Sequence, residues 1–557
     1  MPRRLTRIDE IADGWLQQQV AMSPMLATYI GYEGGAGELD DYSPEQDAER
    51  VRLGGQVNQA LSSITPDDTT DRVTQADLRG ELALMRLIHE SGLNNRDLNV
   101  IASPAQGIRD IFDISPTATV EDWENLSSRM SSVPKSLASY TASLRLSIEN
   151  KDAPARRQVE QVIEQVEQIT KSGGFFETFA ANARAESGEL PENLLAALST
   201  AAGIATAGYA EFGDFLKRDL LPNATERDAI GRERYQLLSM SFLGTRVDLD
   251  ETYEWGIEEL NRIIREQESV ANEIVPGGSI ADAIAALEAD PKRKLHGTAE
   301  LQRWMQKLSD DAITALSGTH FEIPEPMRKL ECMIAPTQHG GIYYTGPSDD
   351  FSRPGRMWWS VPAGVTEFDT WRETTTVYHE GVPGHHLQIA QAVYNRDDLN
   401  SWRRLIAGTS GHAEGWALYA ERLVEELGYL SDPADRLGML DGQRMRAARV
   451  VLDIGVHLEK PKLNGGGPWD FPYALDFMTQ NMNMPKEFVE FEVNRYFGWP
   501  GQAPSYKIGQ RVWETLRDEY LAVHPGQSSL REFHKVALAQ GGLGLDSLRT
   551  ALQHTNR

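Results

Sequence analysis

The sequence predicts a mainly α-helical protein with one small β-sheet or hairpin. Three observations lead there. Apolar residues recur at helical spacing along most of the first 320 residues, and two-residue alternation is almost absent there. No fixed-period repeat or low-complexity linker interrupts that pattern. After Phe321 the texture changes, and Pro, Gly and aromatic residues crowd together. The expected organisation is a helical scaffold over 1–320 and a region over 321–557 that holds the chemistry-bearing residues. The two are expected to pack as one continuous helical body.

Helices are predicted over 8–22, 75–91, 119–149, the charged stretch 151–172 and the Ala-rich stretch 194–220. The last should stop before Leu221-Pro222-Asn223, because proline cannot continue the ladder. A helix pair is expected within 240–268, and a further helix begins at 280–287. GYEGGAGELDDYSP, 31–44, reads as a break. In the aromatic stretch, 342–345 and 356–361 read as short strands. Tyr343, Tyr344, Trp358 and Trp359 could then line a cleft where an extended substrate adds to a strand edge. A plain two-stranded unit packed on helices fits the same residues. Further helices are expected over 408–427 and 444–457.

Composition sets the bounds. At 557 residues, with 40% hydrophobic and 25% charged content, the chain is that of a globular protein. There are 55 basic and 82 acidic residues, a formal net charge of −27. That balance argues against nucleic acid or an anionic membrane as partner, since both attract basic surfaces. Cys332 is the one cysteine, so neither an intramolecular disulfide nor a cysteine zinc cluster is possible. No apolar run approaches a membrane span. MPRRLTRIDEIADGWL carries no continuous apolar core of a secretory signal, and a cytoplasmic location is expected.

The chemistry gathers in VYHEGVPGHHLQIAQAVY, 377–394, which holds His379, Glu380, His385 and His386. A zinc hydrolase needs two neutral imidazoles, a third ligand, and a carboxylate beside a metal-activated water. In the regular His-Glu-x-x-His motif the second His lies one turn on. Here that position is Pro383. On an unbroken helix His385 would sit about 120° around from His379, and His386 about 10.5 Å along the axis. Pro383 has no N–H to give, so the ladder must open there. With about two residues looped out, His385 takes the place of the second ligand. His379 and His385 are therefore the expected ligands, with His386 in reserve or contacting substrate.

The third ligand should come from GTSGHAEGWALYAERLVEEL, 408–427. A carboxylate on this otherwise apolar face is costly to bury unless paired or metal-bound. Glu414 is the expected ligand, and Glu421 the alternative or a partner to a ligand histidine. Farther on, Asp453 and His457 are four residues apart, within reach of a hydrogen bond, and His457 could stabilise charge in the transition state. Gln502 and Tyr506 lie near a Pro/Gly turn, and Arg495 could bind a substrate carboxylate with its fork of donors.

HEGVPGHHLQ, SGHAEGWALYAERL, RAARVVLDIGVH and EVNRYFGWPGQAPSYKIG follow in that order. Together they resemble the bacterial domain-of-unknown-function family eight-eight-five, over about residues 20–520. The family is regarded as metallopeptidase-like and is similar to helical zinc peptidases (gluzincins) that have a His-Glu-x-x-His helix and a later Glu ligand. In several of those groups a Gly precedes the second ligand His, as Gly384 precedes His385 here; Pro383 and the inserted residues depart from the pattern. The resemblance implies a helical metallopeptidase-like fold with its β-unit beside the active-site cleft. It also implies a Tyr or His that donates to the tetrahedral oxyanion, for which Tyr506 is the candidate.

The expected mechanism is metal-assisted hydrolysis with one Zn2+ per chain held by His379, His385 and Glu414. Glu380 takes the proton of the attacking water and passes it to the leaving amine. Tyr506, His457 or the unused histidine of the 385–386 pair would hold the oxyanion. The expected substrate is a short peptide. A non-peptide amide or ester would need the same ligand set, and a binding protein that has lost catalysis is the third possibility. No Gly-x-Ser-x-Gly elbow supports a serine nucleophile.

Overall fold

The computed structural model describes residues 3–186, 188–335, 341–526 and 528–554. Helices carry nearly all of the regular structure, and the strands form two small sheets. The predicted helices stand as Arg7–Met22, Thr69–Glu90, Val120–Glu149, Arg156–Thr170 and Glu192–Phe215. Their starts have local causes. Thr6 with Asp9, and Thr119 with Asp122, close reciprocal capping boxes. The Ala-rich helix ends in a π-turn, Leu216–Leu220, before Leu221-Pro222. The expected pair is Arg232–Leu243 and Leu249–Ile274, with Gly244 between them at φ 61°. Its first helix begins eight residues earlier than the apolar pattern implied. Pro44–Ser62, Pro104–Ile114 and Thr298–Leu316 are helices that were not expected. The first has a weakly apolar stripe, but Ser43 at the N-cap and Pro44 at the first turn mark its start.

Five short strands follow: β1 (Lys294–His296), β2 (Leu330–Ile334), β3 (Ile342–Thr345), β4 (Gly355–Trp359) and β5 (Glu367–Asp369). β4 is central in a three-stranded sheet, with β2 parallel on one side and β3 antiparallel on the other. Tyr343 pairs with Trp358 in that register. β1 and β5 form a separate antiparallel pair. The two strands read from sequence are β3 and β4. The other three were not read; β1 and β5, at three residues each, are too short to show alternation. The sheet lies beside the helices Thr370–Glu380 and His385–Tyr394.

The largest hydrophobic cluster runs from Tyr235 to Leu552 and adds Val73. A second cluster spans Met25 to Leu220, and a third gathers Trp15, Leu78 and Trp402. The large core thus draws on both sides of residue 320. Leu249–Ile274 packs along Pro433–His457 so closely that a Cβ on Gly256 would lie 2.9 Å from a Val450 methyl. No helix among the described residues is long and apolar enough to cross a membrane.

One crossing positions the later site. The helices Ser410–Glu426 and Ser505–Val523 touch backbone to backbone at Gly415 and Gly509. A Cβ on Gly415 would stand 2.6 Å from the Gly509 Cα and 2.8 Å from the Gln510 nitrogen. Neither neighbour is the tip of a flexible side chain, so the helices would have to separate. Gly415→Ala is expected to lower stability by about 1–3 kcal/mol, read as a lower urea midpoint. An unchanged midpoint would mean that this crossing parts freely.

Candidate metal centre

The helix Thr370–Glu380 ends where the proline argument places a break. Residues 381–384 form a turn containing a cis Val382–Pro383 bond, and a second helix starts at His385. The interruption is therefore complete; two helices meet, and no looped-out bulge survives inside one. The Gly384 amide donates to the Tyr378 carbonyl at 3.1 Å, and the His386 amide to the Gly381 carbonyl at 3.2 Å. A Cβ on Gly384 would stand 2.5 Å from the Tyr378 carbonyl oxygen, so this turn needs glycine there.

The turn brings His379 and His385 together, with ring centroids 4.9 Å apart and planes at 89°. Glu414 meets both from the helix Ser410–Glu426, which begins on the Thr409 side chain as N-cap. Glu414 Oε2 lies 3.3 Å from His379 Nε2 and 3.5 Å from His385 Nε2. One ligand atom from each of the three residues falls within 4.8 Å of the others. Ligand atoms at about 2.1 Å from a tetrahedral zinc stand about 3.4 Å apart, so the residues fit such an ion. Glu414 Oε2 and His385 Nδ1 are buried without a hydrogen-bond partner, and an ion would satisfy the first of these.

His379 is held at its other nitrogen as well. Nδ1 lies 2.7 Å from Oε1 of Glu421, a carboxylate only 1% exposed. Donation from Nδ1 leaves Nε2 as the lone-pair atom facing Glu414. Gln443 Nε2 approaches Glu421 Oε2 at 3.4 Å. Burial opposes charge on His379, yet Glu414 and Glu421 push it up to about 10. Burial likewise opposes charge on Glu414, yet the two imidazoles hold it well below the usual carboxylate range. For Glu421 burial is outweighed by Arg446 and His379, and its carboxyl also falls. Glu380 is buried beside His379; burial raises its carboxyl, and the charges of His385 and His379 pull the other way.

Tyr506 starts the helix Ser505–Val523, and the Ser505 and Ser410 hydroxyls, 2.8 Å apart, tie that start to the Glu414 helix. Tyr506 is half-buried; burial, then the Glu414 charge, raises its phenol. Behind its ring lies the Arg449 guanidinium, 5.5 Å from the centroid. Arg449 donates to Glu492 and to the Tyr496 hydroxyl, each at 2.6 Å.

Other expected site residues lie elsewhere. His386 points away from the three ligand atoms. Its Nε2 donates to the Met327 carbonyl at 2.8 Å, and Nδ1 stands 2.9 Å from the Tyr344 hydroxyl. Burial lowers its pKa to about 4, so it is a neutral bridge between sheet and turn. Tyr344 is thereby occupied too, whereas Tyr343 stays exposed on the outer strand β3, stacked on Trp358. Arg495 is engaged through Nη1 by Glu492 at 3.1 Å and through Nη2 by Gln502 at 2.6 Å, so both ends of its fork already hold a protein partner. The expected Asp453–His457 bond is replaced by others. Asp453 accepts from the Tyr235 hydroxyl and the Gly501 amide, while His457 donates to the Tyr496 carbonyl. His457 lies about 16 Å along its helix from Arg446, which faces the cluster. Arg446 and Gln443 were not singled out from sequence. The signal was there in their three-residue spacing before Arg449 on one helix face.

Residues 24–552 match the family described as "Bacterial protein of unknown function (DUF885)". The chain belongs to DUF885. A similar solved structure is described as a "putative lipoprotein" from Colwellia psychrerythraea. It has 22% identity and a TM-score of 0.83, covering 99% of each chain. Another, a "putative lipoprotein of unknown function" from Shewanella oneidensis, has 17% identity and a TM-score of 0.73, covering 99% of this chain and 100% of that one. At these identities the likeness shows a shared fold. No curated protein sequence matches the chain.

Glu421→Ala is expected to weaken zinc binding about 10- to 100-fold, measured by competition with a chelating dye. Unaltered affinity would mean that the His379–Glu421 contact does not orient a ligand.

Proposed function

We propose that this DUF885 protein is a zinc-dependent hydrolase of amide bonds in short peptides. The observation that carries this reading is the convergence of His379 Nε2, His385 Nε2 and Glu414 Oε2 at 3.3–3.5 Å, with Glu380 adjoining. A divalent ion held there supplies Lewis-acid chemistry and acidifies a water. Glu380, one residue beyond His379, is too close along the chain to share the ion easily, which leaves its carboxylate as the base. It takes a proton from the attacking water and returns it to the leaving amine. The Tyr506 phenol, raised in pKa and next to Glu414, keeps its proton and can donate it in a hydrogen bond to the developing oxyanion. Among the described residues β3 pairs only with β4, and its other edge, on the strand that carries Tyr343, is open to an extended substrate.

A non-peptide amide or ester would use the same residues, and a substrate screen separates the two. A protein that only binds would carry no metal. The acidic balance of the sequence favours neither nucleic acid nor an anionic membrane as partner. For the place of work we keep the cytoplasm; the relatives described as lipoproteins make the cell envelope the alternative, and fractionation decides.

Glu380→Gln is expected to retain about one zinc per chain and to lose turnover by about 10²–10⁴-fold. Elemental mass spectrometry and a peptide-library assay on the same preparation read both quantities. Turnover retained in the variant would remove Glu380 from the role of base.

A further inference from the structure

Arginines around the centre are paired almost without exception. Arg422 meets Glu266 and Glu425, Arg449 meets Glu492, and Arg495 meets Glu492. Arg446 differs. Among the described residues no carboxylate lies within 4.0 Å of it, and its Nε is buried with no hydrogen-bond partner. Its charge offsets Glu421 and Glu380 from farther off, and a half-buried guanidinium whose N–H donors have no carboxylate in reach requires a cause.

Its place on the helix Pro433–His457 supplies one. Gln443, Arg446 and Arg449 follow at three-residue spacing and so share a face. The first reaches Glu421, which holds His379; the last lies behind the ring of Tyr506. Arg446 therefore sits on that face between the residue that reaches the metal-ligand side and the residue behind Tyr506. Its charge is felt by Glu380, Glu421 and Tyr506. The guanidinium folds back over Gly442, where a Cβ would stand 2.8 Å from Nη1. A glycine at 442 thus leaves room for that head group.

We propose that Arg446 binds the terminal carboxylate of the substrate, which makes peptides and acylated amino acids with a free C-terminus the preferred substrate class. This rests on the hydrolase reading above and deepens it. A planar guanidinium takes a carboxylate through two parallel N–H donors, a match that an amide or ester end lacks. The other arginine once suited to this task, Arg495, is already spent on Glu492 and Gln502. A carboxylate anchored near the reacting centre confines cleavage to bonds close to the chain end. It also brings to Arg446 a carboxylate within hydrogen-bond reach, closer than Glu421 or Glu380 come.

The test measures binding, so that it stands apart from turnover. N-benzoyl-Gly-Phe and its C-terminal amide are titrated calorimetrically against the zinc-treated Glu380→Gln protein, alone and combined with Arg446→Ala or Arg446→Gln. The free acid is expected to bind at least about tenfold tighter than the amide, and both arginine variants to abolish that preference while keeping their metal. Arg446→Gln keeps the length of the stem and serves if Arg446→Ala does not fold. Equal binding of acid and amide without the arginine change, or a preference that survives both variants, would overturn the proposal. Absence of zinc with the acid preference intact would remove the hydrolase reading and leave Arg446 as a carboxylate site.

Discussion

The imidazole of His379 is clasped at both ring nitrogens by carboxylates of one helix, and the rest of the centre depends on that clasp. Glu421 takes Nδ1 at 2.7 Å, and Glu414 faces Nε2 at 3.3 Å. The two acids are seven residues apart, two helical turns, so one rigid rod presents both. Burying two carboxylates costs several kcal/mol each unless their charge is met. Here it is met by two imidazoles, by Gln443 and by the nearby charge of Arg446. Remove the imidazole and buried Glu421 loses its nearest partner, and Glu414 one of its two. These contacts add an electrostatic tie between the helices to their apolar packing.

Much of the molecule was legible from composition and period alone. Long amphipathic or Ala-rich helices announced themselves. Short strands did not, since β1 and β5 are three residues each and take their form from pairing across a long separation. The break after Glu380 was readable because Pro383 lacks a donor, a property of one residue. That it becomes two separate helices was not readable, because the outcome hangs on contacts with Tyr378 and Gly381. Glu414 and Glu421 stood out as charges on an apolar face.

Several polar residues singled out from the sequence take protein partners in the fold. Asp453 and His457 were singled out for their four-residue spacing, and Arg495 for its fork of donors. Such groups need partners when buried, and here the partners are Tyr235, Tyr496, Glu492 and Gln502. Which of two solutions a buried polar group takes, a protein neighbour or a ligand, depends on residues far off in sequence. His386 illustrates it well: next to a residue of the cluster, it turns the other way and joins Met327 to Tyr344.

The division of the histidines between two helices has a consequence for how such proteins are found. Pattern searches keyed to two histidines three intervening residues apart pass over this chain, since Pro383 stands at the second position. The three-dimensional arrangement is nonetheless that of two imidazoles and a downstream carboxylate. A search by spatial template, or by His-Glu-Gly-Val-Pro-Gly-His followed by Ala-Glu-Gly-Trp, would recover what the linear pattern hides. Catalogues built on the regular spacing alone undercount the backbones able to build such a triad.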